Sequence, residues 1–336
     1  MNNSDTQFDV VVIGAGSGGL TAAVGFARLG KRVLLVEREH MGGECTNTGC
    51  VPSKALLHHA KQYHTAVQIA GESSQSTAYR QSAFTYVRDV IAATLEEEQA
   101  ERFIALGIVV VWGEAQFTGP CAIAVAGTQY HFKRAIIATG SAPRRIDIPG
   151  LDEASILTNQ NLFTLSEAPE RILILGSGPI GMEVGQALAL LGSQVTIATI
   201  DDEFARLEDR AIRPIMFDTF RSLGVRVELQ AHITHVADGV AYFERRQDEV
   251  VHEQFSVPFD KVLVAIGRVP NIPMGLEQAG VGYDERGVVV DAQYRTDNPY
   301  IYTPLVMWRT NSNLRILQMM PPDRLWRELP ATALSG

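Results

Sequence analysis

Cysteine is scarce, with three in 336 residues. That excludes a disulfide-stapled scaffold and points to a reducing compartment. Basic residues are outnumbered, 29 against 38 acidic, giving a formal charge of −9. A balance of that sign argues against nucleic acid or an anionic membrane as the main partner. No apolar run is long enough to span a bilayer. The opening MNNSDTQFD lacks the basic-then-apolar order of a signal peptide, so a cytoplasmic location is expected. Aromatics are few, yet 46% of residues are hydrophobic and 20% charged, the mixture of a soluble globular chain with a sizeable core. The length suggests two domains, or one large domain with insertions.

What is present is a repeat. Phe8 to Ile13 is a continuous apolar run, which predicts a parallel strand buried on both faces. Gly14-Ala15-Gly16-Ser17-Gly18-Gly19 follows, then a helix to about Leu29 stopped by Gly30, then a strand ending in Glu37. Strand, glycine turn, helix, strand and acid form a dinucleotide-binding unit. Gly14 makes the tight turn, Gly16 admits a pyrophosphate, Gly19 lets helix and strand pack, and Glu37 accepts from a ribose. The helix N-terminus offers unpaired N–H groups to the phosphates. The unit recurs with Arg171 to Leu175 and Gly176-Ser177-Gly178-Pro179-Ile180-Gly181. One glycine turn is weak evidence; two in register, each between a strand and a helix, predict two nucleotide sites. Between them the pattern predicts a helix from Pro52 to about Ile69, a loop over 70–78, and one long helix from Gln81 to Leu106. Short strands are expected near 108–112, 121–126 and 129–132, with an apolar strand from Arg134 to Ala138. Pro143 and Pro149-Gly150 mark a linker.

The most informative segment is GGECTNTGCVPSK, residues 42–54. The poor helix formers between Cys45 and Cys50 allow a loop that brings the thiols together. A helix with Pro52 in its first turn favours the Cys50 thiolate through its dipole. These features suit a redox dithiol. The bland alternative is two reduced structural cysteines or half a metal site, but no second cysteine pair completes one. Cys121 reads as a small buried hydrophobe. His58, His59 and His64 do not share one helix face, so no metal site is expected.

Together with ATGS at 138–141 and AIGRVPN at 265–271, these motifs resemble the class I pyridine nucleotide-disulfide oxidoreductases, in consistent order over roughly residues 7 to 302. Dihydrolipoamide dehydrogenase, glutathione reductase and mercuric reductase belong to that family. The resemblance implies an α/β fold in three layers, with two Rossmann-like FAD- and NAD(P)-binding domains, the second inserted in the first. It places an FAD domain with the dithiol at 1–150, an NAD(P) domain at 151–268 and a return to the FAD domain at 269–302. FAD would be held by Gly14, Gly16, Gly19, Glu37, Gly43, Ala115, Thr139, Gly140 and Ser141. NAD(P) would be held by Gly176, Gly178, Gly181, Thr199 and Gly267. Cys45 would be the thiol that exchanges with substrate and Cys50 the thiolate against the flavin. Lys54, one helical turn after Cys50, would face the flavin and pair with Glu183 near the nicotinamide. Without that resemblance, Lys54 and Glu183 would read as solvated charges. Electrons would pass from NAD(P)H through FAD to the Cys45–Cys50 disulfide and on to a small-molecule disulfide or Hg(II), or in reverse from dihydrolipoamide. The alternatives are an NAD(P)H diaphorase or oxidase without thiol chemistry, or an inactive nucleotide-binding remnant.

Two departures from the family stand out. Thr199 takes the register of Glu37 in the second unit, where an acid normally selects NAD. Asp201 and Asp202 follow, then Arg206, and a weak preference for NADH is expected. After Tyr302 the expected strand ending in Gly-Asp is replaced by Thr303-Pro304-Leu305-Val306-Met307-Trp308. Residues 303–336 form an atypical tail with four Arg against two acids, where the family has an interface domain and its acid–base histidine. An unclosed flavin sheet, weak FAD retention, no family-type homodimer and little turnover are expected of such a chain. Trp308, Leu314, Ile316, Leu317 and Trp326 are candidates to cover the sheet.

Overall fold

The computed structural model describes residues 5–247 and 250–303. The expectations for Trp308, Leu314, Ile316, Leu317 and Trp326 therefore lie outside the described residues. These pack as two compact units. The first comprises 5–47, 94–142 and 269–303, and the second 48–93, 143–247 and 250–268. Among the described residues, no helix is long and apolar enough to cross a membrane.

The first unit is built on a seven-stranded sheet. Val109–Trp112, Val33–Glu37, Gln7–Ile13 and Thr128–Ile137 pair in that order, all parallel. Ala122–Val125 joins antiparallel to the start of Thr128–Ile137, and Ala115–Gly119 joins antiparallel to that. Alternate residues feed two cores. Val11, Ile13, Leu34 and Val36 enter one cluster; Val10, Val12, Val33 and Leu35 enter another. Burial on both faces is why the strands read as unbroken apolar runs. The sheet also gains a start of the closing strand that the sequence reading doubted: Ile301–Tyr302 pairs parallel with Ala135 and Ile136.

The second unit repeats the plan. Arg226–Glu228, Gln194–Ala198, Arg171–Leu175, Lys261–Val264 and Ile156–Leu157 form a five-stranded sheet, all parallel. Ile172, Ile174, Val195 and Ile197 face the helices Cys50–Ala70, Ala83–Glu97 and Pro179–Leu190. Leu173, Leu175, Val262 and Val264 face the antiparallel strands Ala231–Ala237, Val240–Gln247 and Val250–Pro258.

Three local readings are corrected. Residues 70–78 are not all loop: Ser74–Gln81 is helical because Ser73 and Ser76 cap its start reciprocally. The helix expected over 81–106 is two, Ala83–Glu97 and Ala100–Ala105, because Gln99 turns to extended backbone with ψ of 145°. Ala115–Gly119 was not anticipated as a strand, and the stretches near 129–132 and 134–138 are one strand, Thr128–Ile137.

The capped helix packs on a buried histidine. His59 stacks on Tyr79 with ring centroids 4.0 Å apart, and its Nε2 lies 2.7 Å from the Tyr79 carbonyl oxygen. That oxygen can only accept, so Nε2 carries the proton. Nδ1 is buried with no partner. Burial pushes the His59 pKa below 6.5, against the raising pull of the Tyr79 carbonyl. The folded chain therefore favours the neutral ring. Stability is fully present above the ordinary histidine value and is lost as pH falls through it, because the unfolded chain protonates first. Going from about pH 7.5 to about pH 5.5, His59→Phe should lose less stability in urea melts than the parent. Equal losses would contradict this reading.

Candidate active site

In the first unit the glycine turn is shaped by contacts between backbones. Gly14 has φ of +103°, and a Cβ there would meet the Ala138 carbonyl oxygen under 3.0 Å away. A Cβ on Gly19 would collide with the carbonyl of Gly14. Gly43, at φ of +57°, brings its chain so close that a Cβ would stand 2.6 Å from Gly16 Cα. A Cβ on Gly16 has only an ordinary contact, Gly43 Cα at 3.8 Å. The close approach thus constrains Gly43 more than Gly16. Glu37 is buried at the end of its strand. Its carboxylate accepts from Ala15 N at 2.6 Å and from the backbone N–H groups of Arg38 and Glu39, both at 2.8 Å. A carboxylate has about four acceptor sites, so it can still take a ribose hydroxyl. The turn, the N-terminus of Ser17–Arg28 and this acid fit a dinucleotide.

The opposite wall of that turn is fixed by Asn271, the last residue of the AIGRVPN motif and a residue with no role expected from the sequence. Its side-chain amide donates to the Thr139 carbonyl at 2.8 Å and its backbone N–H to Gly140 O at 3.0 Å, while Thr139 Oγ1 donates to Asn271 O at 2.6 Å. Gly140 has φ of +65°. Ala115 is buried at a strand start, so it can serve a ligand only through its backbone. Ser141 begins the short strand Ser141–Pro143.

The second unit reproduces the collisions. A Cβ on Gly176 would strike Ala265 O, and one on Gly181 would strike Gly176 O. A Cβ on Gly178 meets nothing within 4 Å, so that turn has room for a phosphate against its backbone. Gly267 has φ of +110°, parallel to Gly140 in the first unit. Thr199 is buried, and its Oγ1 donates to Asp201 Oδ2 at 3.1 Å. Arg206 lies 3.2 Å from Asp201 and 3.9 Å from Asp202, so its charge is offset.

The helix Cys50–Ala70 begins at Cys50 itself, earlier than the sequence suggested, because Pro52 fits the first turn where no N–H bond is lost. Cys50 is exposed there, within the first turn where the helix dipole favours a thiolate. Cys45 is half-buried in the short helix Gly43–Asn47 of the first unit. Cys121 is also only half-buried, and burial pushes its thiol pKa up. Lys54 Nζ lies 2.6 Å from Glu183 Oε1, on the helix that opens the second glycine turn. The Lys54 side chain is 60% exposed, so the pair adds little to stability and serves instead to place two charges. Ser53, for which the sequence motifs imply no role, donates to the other oxygen of Glu183 at 2.9 Å. Its only sequence signal was its place one residue before Lys54. Among the described residues, no group of three or more His, Cys, Asp or Glu could hold a metal ion.

Known proteins resemble this chain in sequence and in fold. The family model for pyridine nucleotide-disulphide oxidoreductases matches residues 8–303. A dihydrolipoyl dehydrogenase of Bacillus subtilis is 32% identical over 88% of the chain and 64% of its own length. A mercuric reductase of Streptomyces lividans is 36% identical over 90% of the chain and 66% of its own length. The HOCl-induced flavoprotein disulfide reductase RclA of Escherichia coli superposes with a TM-score of 0.74 at 28% identity, over 88% of this chain and 65% of that one. The chain thus spans just under two thirds of the length of each. It belongs to the pyridine nucleotide-disulphide oxidoreductase family, whose members join FAD to an NAD(P)H electron donor.

Proposed function

We propose that the protein is an FAD-dependent oxidoreductase that carries electrons from NAD(P)H to the Cys45–Cys50 pair and on to a small-molecule disulfide or Hg(II). Bound FAD supplies the exchange between a two-electron hydride donor and a thiol pair. The first glycine turn, Gly43, Glu37 and the Thr139–Gly140 wall hold it; Gly176, Gly178 and Gly181 receive the nicotinamide nucleotide. With a disulfide substrate, the Cys45 thiolate attacks one sulfur and expels the first thiol. The Cys50 thiolate then attacks Cys45, expels the second thiol and leaves the Cys45–Cys50 bridge. One NAD(P)H and one proton restore the dithiol. With Hg(II), the same two electrons yield elemental mercury.

The observation that carries this reading is the Lys54–Glu183 ion pair, at 2.6 Å. It ties the helix that starts at the reactive cysteine to the helix that opens the second nucleotide turn. The test is NAD(P)H oxidation by the purified chain with excess FAD, using lipoamide, a glutathione-type disulfide, Hg(II) and a quinone in turn. Oxidation driven by the quinone alone would overturn the reading.

For the coenzyme we infer NADH. Thr199 offers no cation to a 2′-phosphate, and Asp201 and Asp202 already engage Arg206. The added charge of NADPH should weaken binding by about tenfold, or about 1.4 kcal/mol. Competitive binding at one salt concentration measures it, and tighter NADPH binding would reverse the assignment.

A further inference from the structure

We propose that Asn159 is a positioning residue for the Cys45–Cys50 pair, acting through Thr48 in the loop between the cysteines. The proposal rests on the reading of those cysteines as a redox pair. Asn159 is buried, at 5% exposure. Its Nδ2 lies 3.3 Å from the Thr48 carbonyl oxygen and 3.4 Å from Thr48 Oγ1. Its Oδ1 accepts from Arg268 Nη1 at 3.4 Å. A guanidinium only donates, so the amide oxygen must face Arg268 and the NH₂ must face Thr48. Arg268 therefore fixes the sense of the tether.

The platform is stiff. Thr158 N donates to Asn161 Oδ1 at 2.7 Å, Asn161 Nδ2 donates to Ile156 O at 3.0 Å, and Gln160 N donates to Thr158 Oγ1 at 3.2 Å. Asn159 thus sits on a turn closed by its neighbours' side chains. Nothing in the sequence flagged it, since 111 residues separate it from Thr48. On the far side of Cys50, Ser53 N donates to Gly49 O at 3.0 Å and Ser53 Oγ engages Glu183. The backbone through Gly49 and Cys50 is therefore held before the cysteine by Asn159 and after it by Glu183.

Such a hold matters to a dithiol. Closing the bridge costs the conformational freedom of the linking loop. A loop already tethered at Thr48 has less to lose, so the tether favours the bridged form. Releasing it should make the bridge easier to reduce.

The measurement is the equilibrium of the purified full chain with glutathione buffers, in which one bridge and two reduced glutathiones give one dithiol and one oxidised glutathione. Thiols are trapped with a maleimide and counted by mass, with no added FAD. Asn159→Asp replaces the donors toward Thr48 by an acceptor and keeps the shape. It should raise the equilibrium constant for reduction about threefold to tenfold, tenfold being about 30 mV for this two-electron couple. Thr48→Val removes only the hydroxyl and should give about a twofold shift, while Thr48→Ser should match the parent. A folded Asn159→Asp chain with the parent's constant overturns the proposal. If that variant does not fold, an unshifted Thr48→Val does so. A parent chain that forms no Cys45–Cys50 bridge in any buffer overturns the redox-pair reading instead.

Discussion

Serine in place of Cys50 is expected to abolish the long-wavelength absorbance that two-electron reduction produces in the FAD-loaded protein. It should also cut NAD(P)H-driven disulfide reduction by at least about a hundredfold. The cause is acid strength and place. A thiol at the first residue of a 21-residue helix lies at the positive end of the helix dipole, equivalent to about half a positive charge. A serine hydroxyl cannot ionise there at neutral pH. Lys54, one turn on, adds less than a lone cation would, because Glu183 takes its charge at 2.6 Å. Cys45→Ser should do the opposite spectroscopically and show the band without reduction, since Cys50 then has no sulfur to bridge. Spectra are recorded with FAD in excess, before and after one equivalent of dithionite. A band that persists in Cys50→Ser would remove Cys50 from its proposed role.

The sequence made the nucleotide architecture legible because glycine turns report backbone collisions. Gly14, Gly19, Gly176 and Gly181 stand where a Cβ would strike a carbonyl oxygen, so the residue type itself records the geometry. The parallel strands were legible for a related reason: burial on both faces removes polar residues from them. What could not be read was held by polar side chains acting over long separations. Ser53 meets Glu183 across 130 residues and Asn271 meets Thr139 across 132. Each is one ordinary polar residue, with no period or spacing to announce its partner. The helix Ser74–Gln81 was missed for the opposite reason. Most of its residues are polar and none of them is buried, so a hydrophobic period is lacking where a reciprocal serine cap starts a helix.

Gly16→Ala and Gly19→Ala should separate ligand binding from folding in the same turn. At Gly19 the new methyl collides with Gly14 O, a backbone atom that cannot swing away. The helix Ser17–Arg28 must then lift from the strand it packs on, opening the cluster that holds Leu20, Ala23 and Phe26. Loss of such close packing costs about 3–5 kcal/mol, a large share of the stability of a domain. At Gly16 the methyl finds only Gly43 Cα at 3.8 Å, an ordinary contact, so the fold should keep its melting temperature to within a few degrees. In the proposed FAD site that methyl would stand in the approach of the pyrophosphate to the backbone, and FAD affinity should fall about tenfold to a hundredfold, or about 1.4–2.8 kcal/mol. Gly178→Ala, with no atom within 4 Å of its Cβ, should do the same to NADH and leave FAD untouched. Thermal melts paired with flavin and NADH titrations read all three variants. A Gly16→Ala chain that unfolds, or a Gly19→Ala chain that melts like the parent, would show that the turn is not held by the backbone contacts described.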